Sequence, residues 1–548
     1  MAVLIVPPLD DEPWPSLGGL VCDLIEDRAV FGPGSLKGRP AVLDPEKRAA
    51  IYRCYEVYPR GHPLAGRRRF KRAGLSWRKG TAKTEFAAWV AFAELHPEGP
   101  VRFDGWDARG NPVGRPVADP YVPMVAFTEE QTERLAYGAL YTVVSECGDA
   151  DLFDIGLERI IRLDARGRPD GLAEALSGSP DANDGARTTF QHFDEPHRMH
   201  LPRLLASHET MLGNLPKRPL EDPWSLETTT AGEPGQGSVA ENTHAEARAI
   251  QAGEVEEPEL FYFHREAGPG HDMSTLDGRV AAVAEATGPV GEYAPGQFRE
   301  IARQWDRKGA DKRYLERVWL NRWVASERQA FDPTKRPALL TSERIAKGSF
   351  VTGGFDGARF RDSTGIVVTD IPTGRQQLWA LWERPADLPD DAAWEIDEAE
   401  VTESVAELMS THDVWRFNAD PPYWVEPVGA WAGKWPCVEE WWTNRTKAMA
   451  YAVRNYGEAL DSAAVAFVDD DMEPRFAEHM AAAGRRDVNL WDDQGQRLFI
   501  LEKLHPDRRF DAQMAAVLSW EARLEAIRQG AKPTPKRRST KFGRLDRR

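Results

Sequence analysis

Residues 73–77 are a short apolar run, and residues 84–95 carry Phe86, Trp89, Val90 and Ala93 on one stripe of a helical repeat. A polar loop separates them, so the local order is strand, loop, helix. Apolar runs at 122–127, 188–193 and 225–230 predict further strands, and the patterns at 129–144 and 202–212 predict helices. This alternation predicts an α/β domain, with the strands at 73–77, 122–127 and 188–193 side by side. Residues 270–328 read as helical, broken by Gly and Pro near 288–295, and are expected to form a lid or connecting subdomain. After Lys347 the pattern changes. Strands at 350–355, 364–369 and 375–383 follow one another closely, the last two joined by the Pro- and Gly-containing turn 371–374, which predicts an antiparallel meander. A helix near 400–409, a strand ending at Asp420 and a helix opening near Asp511 follow.

A chain of 548 residues exceeds a single core, and its 41% hydrophobic and 29% charged content is ordinary for a globular protein of two to four domains. No apolar run reaches the length of a membrane span, and the opening MAVLIVPP lacks the basic flank of a signal peptide, so a cytoplasmic location is expected. Cysteines 22, 54, 147 and 437 show no metal-ligand spacing and are assigned to packing. A net charge of −17 argues against a permanently DNA-coated protein, because such binding is driven by cations neutralising phosphates. Two basic stretches remain: GRRRFKR at 66–72, and the tail 532–548 with eight Lys or Arg against one acid, expected to be disordered.

The loop WRKGTAKTE is a phosphate-loop candidate. In G-x-x-x-x-G-K-[ST], backbone N–H groups cradle phosphates, the Lys reaches the outer phosphates and the hydroxyl ligates Mg²⁺. Lys83 and Thr84 fill the last two places, Trp77 and Ala82 replace the glycines, Gly80 lies inside the loop, and Arg78 and Lys79 add charge. The alternative is a basic turn before an amphipathic helix. FQHFDE ends a strand in Asp194 and Glu195, suited to holding Mg²⁺ and orienting the attacking water respectively. SLETTT ends in hydroxyls that suit γ-phosphate sensing, with Thr230 the last. Asp356 ends the first meander strand, where Gly353, Gly354 and Gly357 are read as leaving room around the carboxylate. Asp420 ends a later strand and Asp511 opens a helix on its apolar face. Three such aspartates could converge on two Mg²⁺ ions about 4 Å apart, the arrangement that cleaves phosphodiesters. Each alone is compatible with a structural role. The layout is that of an RNase H-like domain, with Asp362 and His479 as auxiliary candidates and Glu383 as a substitute ligand.

Taken together, WRKGTAKTE, TEEQTERLA, FQHFDE, SLETTT, FYFHREA, GFDGARFRDSTG, NADPP and RRFDAQMAAVLSWEAR resemble the large terminase subunit of tailed bacteriophages over most of the chain. The resemblance implies an α/β, P-loop ASCE-type ATPase domain at 1–340 with a helical lid at about 251–340, an RNase H-like nuclease at 346–529 and a basic tail at 530–548. It implies ATP and Mg²⁺ as cofactors, with Mn²⁺ as an alternative in the nuclease site. It further implies double-stranded DNA as substrate, a portal protein and a small terminase subunit as partners, a pentameric ring when assembled or a monomer in solution, and action in the host bacterial cytoplasm. Arg78, Arg187, Arg198 and Arg203 remain candidates for a transition-state arginine. The competing readings are an ATP-dependent repair nuclease or helicase, and a non-enzymatic adaptor with terminase-like fold.

Overall fold

The computed structural model describes residues 3–10, 12–127, 136–176, 185–325, 328–360, 362–385, 388, 393–492, 495–504 and 508–534. Most of TEEQTERLA, the first half of the helix expected at 129–144, and residues 535–548 of the tail lie outside these. The chain divides into two compact units, Met1–Ser326 and Glu327–Arg548.

The first unit is built on a nine-stranded sheet. In chain order its strands are β1 (Val3–Val6) and β2 (Arg72–Ser76), then, after a separate hairpin of β3 (Arg102–Trp106) and β4 (Pro112–Arg115), β5 (Tyr121–Val125), β6 (Phe153–Ile155), β7 (Arg159–Leu163), β8 (Pro169–Leu176), β9 (Phe190–Asp194), β10 (Trp224–Thr229) and β11 (Leu260–Arg265). Their spatial order is β1-β11-β2-β10-β9-β5-β8-β7-β6. From β11 to β8 all neighbours are parallel. Strands β9 and β10 are buried at every position, as the centre of a parallel sheet with both faces covered requires. The expected adjacency of the first three strands holds for β5 and β9 but not for β2: β10 enters between β2 and β9. Parallel neighbours are joined by long crossovers, so order along the chain leaves order across the sheet open. The helix Lys83–Leu95 is buried almost all round, consistent with its Ala, Phe, Trp and Val content.

Helices Leu276–Thr287, Gln297–Ala302 and Lys312–Leu320 form the expected helical segment around Ala282, Val283, Phe298, Trp305 and Leu320. The basic run 66–72 is not a DNA-facing surface. Arg68 pairs with Glu94, Arg69 with Asp10 and Glu56, Lys71 with Asp222 and Arg72 with Glu246. Buried cations need such partners, and here the sequence supplied them from distant segments.

The second unit carries a seven-stranded sheet in the order β12-β18-β15-β14-β13-β16-β17. Its strands are β12 (Leu340–Thr341), β13 (Phe350–Gly357), β14 (Ser363–Asp370), β15 (Arg375–Glu383), β16 (Asp413–Ala419), β17 (Val438–Glu440) and β18 (Ala466–Val468), while β19 (Ala483–Trp491) and β20 (Arg497–Lys503) pair separately. Strands β13, β14 and β15 form the expected antiparallel meander, and β16 runs parallel to β13. The β13–β16 register shifts after Val351–Val414: Thr352 pairs with Arg416, leaving Trp415 as the extra residue. Helix Asp511–Arg528 packs across this sheet. A Cβ at Gly354 would lie 2.0 Å from the Ala515 carbonyl oxygen, and one at Gly353 would lie 2.4 Å from the Phe417 ring. These glycines therefore make room for the helix and a neighbouring strand, not for the carboxylate of Asp356.

Candidate active sites

Parallel pairing brings the ends of β2, β9 and β10 to one edge of the first sheet: Ser76 lies opposite Thr229, and Asp194 opposite Thr228. Every loop leaving that edge is therefore near the others. The loop after β2 passes through Gly80 at φ 79° and Ala82 at φ 58°, ψ 43° before the helix starts at Lys83. Ala82 thus occupies the left-handed conformation that glycine adopts without steric cost. Lys83 is buried, not exposed as a free surface ammonium would be, with Nζ 3.5 Å from Glu195 Oε1 and 3.4 Å from the Arg78 carbonyl oxygen. The Thr84 hydroxyl donates to Asp194 Oδ2 at 3.2 Å, and the Thr228 hydroxyl donates to Oδ1 at 3.1 Å. Glu195 also has positive φ, 52°, and its N–H donates to the Thr228 carbonyl. Its Oε2 accepts from the Thr230 hydroxyl at 3.3 Å and lies 2.9 Å from His197 Nδ1.

Lys83, Thr84, Asp194, Glu195 and Thr230 are thus brought together; Arg78 is not. Its side chain is buried, with Nε donating to the Thr287 hydroxyl and Nη1 to the Lys79 carbonyl, and its guanidinium lies over the Phe298 and Trp319 rings. It anchors the loop to the helical segment, an inward role that a count of positive charges misses. The Lys79 side chain is exposed, and its backbone N–H donates to the Val318 carbonyl. Arg198 is exposed and close enough to Glu195 to favour its charge, Arg203 is exposed in the first turn of helix Pro202–Asn214, and Arg187 is exposed before β9, at the end away from Asp194.

The two adjacent carboxylates are driven apart. Burial and the charge of Glu195 push Asp194 up to about 7. Burial opposes ionisation of Glu195 too, but Lys83 and His197 hold it well below the usual range. A hydroxyl and a carboxylate side by side suit Mg²⁺, which takes few protein oxygens and fills its remaining positions with water and phosphate.

In the second unit, Asp356 lies next to the end of β13, and Asp420 follows β16 with its N–H bonded to the Phe355 carbonyl at 3.0 Å. The Asp356 carboxyl hydrogen-bonds that of Asp420. Thr443 donates to Asp420 through its N–H at 3.1 Å and its hydroxyl at 2.6 Å. Asp511 opens its helix, buried, and accepts from the Ser363 hydroxyl. Burial raises all three carboxyls. Asp511 and Asp420 push Asp356 further up, and the charge of Asp362 helps bring Asp511 to about 6. Asp362 completes the acidic patch: Oδ2 meets Lys503 Nζ at 2.6 Å, while Oδ1 is buried with no hydrogen-bond partner among the described residues. Among the described residues no three His, Cys, Asp or Glu side chains converge tightly enough to hold a metal ion as placed. The donor chemistry, crowded hard carboxylates and an orphaned buried oxygen, nevertheless fits a divalent cation.

His479 is buried, not a surface residue. Its Nδ1 accepts from the Ala512 N–H at 3.1 Å and its Nε2 lies 3.2 Å from Glu383 Oε1, so it pins the start of the helix that carries Asp511. Glu383 opposes burial with His479 and Arg475 as partners, which hold it down to about 2.

The large terminase of bacteriophage HK97 matches 92% of this chain and 100% of its own at a TM-score of 0.50, with 17% sequence identity. The chain has the large-terminase fold. Gene 13 protein of mycobacteriophage L5 is 23% identical over 507 residues, covering 82% of this chain and 79% of its own, and Gene 13 protein of mycobacteriophage D29 is 23% identical over 494 residues with the same coverage. No protein-family profile matches. No described helix of this terminase-fold chain is long and apolar enough to cross a membrane. Sequence reasoning passed over Thr228, His197, Thr443 and Ser363, the groups that orient the terminase-fold carboxylates. SLETTT held the signal for Thr228; the other three lie away from the catalytic positions of the motifs.

Proposed function

We propose that this chain is a viral DNA-packaging motor that hydrolyses ATP to drive double-stranded DNA into a procapsid and cuts concatemeric DNA with a metal-dependent endonuclease. The observation that supports this reading is the presence, in one chain of terminase fold, of the Lys83–Glu195–Thr230 cluster in one unit and of the buried, electrostatically interacting carboxyls of Asp356, Asp420 and Asp511 in the other. In the first, the loop N–H groups and Lys83 bind phosphates, and Thr84 and Asp194 would hold Mg²⁺, which when bound neutralises charge on the phosphates. Glu195, kept ionised by Lys83 and His197, accepts a hydrogen bond from water and orients it, while Thr230 reports on the outer phosphate through that carboxylate. In the second, Asp356, Asp420 and Asp511 would hold Mg²⁺ or Mn²⁺, which when bound activates water and stabilises the leaving oxygen. Thr443 and Ser363 fix two of those carboxylates. Exposed Arg445 and Lys447, just beyond Thr443, offer cations to the DNA backbone. The portal protein, the small terminase subunit, a ring of copies and action in the cytoplasm of the infected host belong to the same proposal.

The test is ATP turnover by the full chain with and without DNA, beside plasmid cleavage in Mg²⁺ or Mn²⁺. Asn at Asp356, Asp420 or Asp511 should abolish cleavage and spare turnover, because the two sites lie in separate units. Absence of both activities in the unmodified protein would remove the proposal.

A further inference from the structure

Asn321 follows helix Lys312–Leu320 and is completely buried in the left-handed conformation, φ 54°. Its carboxamide is used at both ends. Oδ1 accepts from the Ala231 N–H at 2.7 Å, and Nδ2 lies 2.8 Å from the Arg265 carbonyl oxygen and 3.1 Å from both the carbonyl and the hydroxyl oxygen of Ser76. Ser76 ends β2 before the phosphate loop, Arg265 ends β11, and Ala231 directly follows Thr230. The flanking backbone is tied to the same edge: Lys79 N–H donates to the Val318 carbonyl at 2.7 Å, and Ala267 N–H to the Leu320 carbonyl at 2.9 Å. A continuous path therefore runs from Glu195 through the Thr230 hydroxyl and the Ala231 N–H to Asn321, and on to the helix whose end holds the phosphate loop.

We infer that Asn321 is a positioning residue for ATP hydrolysis: its carboxamide fixes the Thr230–Ala231 segment against the phosphate loop, so that Glu195 and Lys83 keep their relative placement. Only a side chain that both donates and accepts can serve all three loops. Aspartate would face the Ser76 and Arg265 carbonyl oxygens with like charge. Asparagine is also among the few non-glycine residues that tolerate φ above zero. The inference rests on reading the Lys83–Glu195 site as an ATPase.

Asn321→Gly isolates the effect, because glycine keeps the backbone conformation and removes only the carboxamide. Expected is a fall in kcat of about 10- to 100-fold, the scale of a small misplacement remote from the chemistry, with nucleotide Kd, read with a fluorescent ATP analogue, within about 3-fold of the unmodified chain. Thr230→Val should lower kcat as well, and the double variant should lose no more than the worse single one, because both act on one linkage. If the losses instead multiply, or if Asn321→Gly turns over normally, Asn321 does not position the site. Should Asn321→Gly fail to fold, Asn321→Asp carries the same cycle, since it retains the acceptor to Ala231 and loses both donors. An unmodified chain that binds and hydrolyses no ATP overturns the ATPase reading and this inference together, whereas normal turnover with an unaffected Asn321 variant overturns the inference alone.

Discussion

Replacing Ala82 with glycine should stabilise the first unit and leave ATP turnover in place. Ala82 sits at φ 58°, ψ 43°, one residue before Lys83, and is exposed, so its methyl group buries little apolar surface. An L-residue in this conformation carries about 1–2 kcal/mol of steric cost. Glycine removes that cost but gives the unfolded chain about 0.4–1 kcal/mol more entropy to lose. The balance is a gain of about 1 kcal/mol, a rise of about 1–2 °C for a unit of this size. Thermal unfolding of the full chain, followed in the transition assigned to the first unit, measures it. Ala82→Val should move the same transition downward, because a β-branched residue fits the left-handed region worse than alanine. Turnover of Ala82→Gly should stay within about 3-fold of the unmodified chain, since glycine supports the same loop shape. A lower transition for Ala82→Gly, or a higher one for Ala82→Val, would refute the claim that the loop stores strain at this residue.

Glu195→Gln should keep nucleotide binding and lower kcat by about 10²- to 10⁴-fold, as removal of a proton-accepting group does; equal loss of binding and turnover would show that Glu195 does not orient the water. His244 is held neutral, down to about 2, by burial, His264 and Arg248. A base whose folded pKa is depressed contributes stability present above its unfolded pKa, near 6.5, and lost as pH falls below it. His244→Phe should therefore flatten the loss of first-unit stability between pH 7 and 4.5 by about 1–3 kcal/mol in chemical denaturation, and an unchanged slope would remove His244 as its source. Deleting residues 535–548, beyond Ala531 and Thr534, which respectively pack on Ala526 and bond Asp413, should weaken DNA binding and reduce the slope of log K against log salt by about 0.9 for each phosphate that the tail neutralises, with no change in melting temperature; an unchanged slope would mean that the tail does not touch DNA.

The strand–loop–helix around Lys83–Thr84 and the meander around Asp356 were legible because each is local: strand, turn and helix signals lie within a few residues of one another. The strand ends at Asp194 and Asp420 were legible for the same reason. What joins these pieces was not. The entry of β10 between β2 and β9 is a choice among parallel neighbours that share no local signal, yet it is what brings Thr228 and Thr230 to Asp194 and Glu195. Arg78 looked like phosphate-binding charge, whereas its partners Thr287, Phe298 and Trp319 lie some two hundred residues on, where no periodicity marks them. GRRRFKR looked like a basic surface because its acids, Glu94, Asp222 and Glu246, are scattered along the chain. Gly353 and Gly354 suggested room around the Asp356 carboxylate and proved to be room for Phe417 of a neighbouring strand and for a helix; sequence gives the need for room but not the occupant.

The extra residue Trp415 in β16 separates two kinds of change that this strand can undergo. A strand pair gains uninterrupted ladder bonds when a bulge is removed, and a one-residue slip reverses which face every later side chain occupies. Deleting Trp415 would join Val414 to Arg416 with each still opposite its present partner, giving a regular ladder with the Asp420 N–H still on the Phe355 carbonyl, whereas deleting any one of residues 416–419 would draw Asp420 back by one place and break the bond that sets it beside Asp356. Substitution along β16 can be read residue by residue, but a change of its length acts on all downstream positions at once. Drift in this strand is therefore confined to exchanges that conserve the count between Arg416 and Asp420, and among distant relatives the length of that interval should be kept more strictly than its composition.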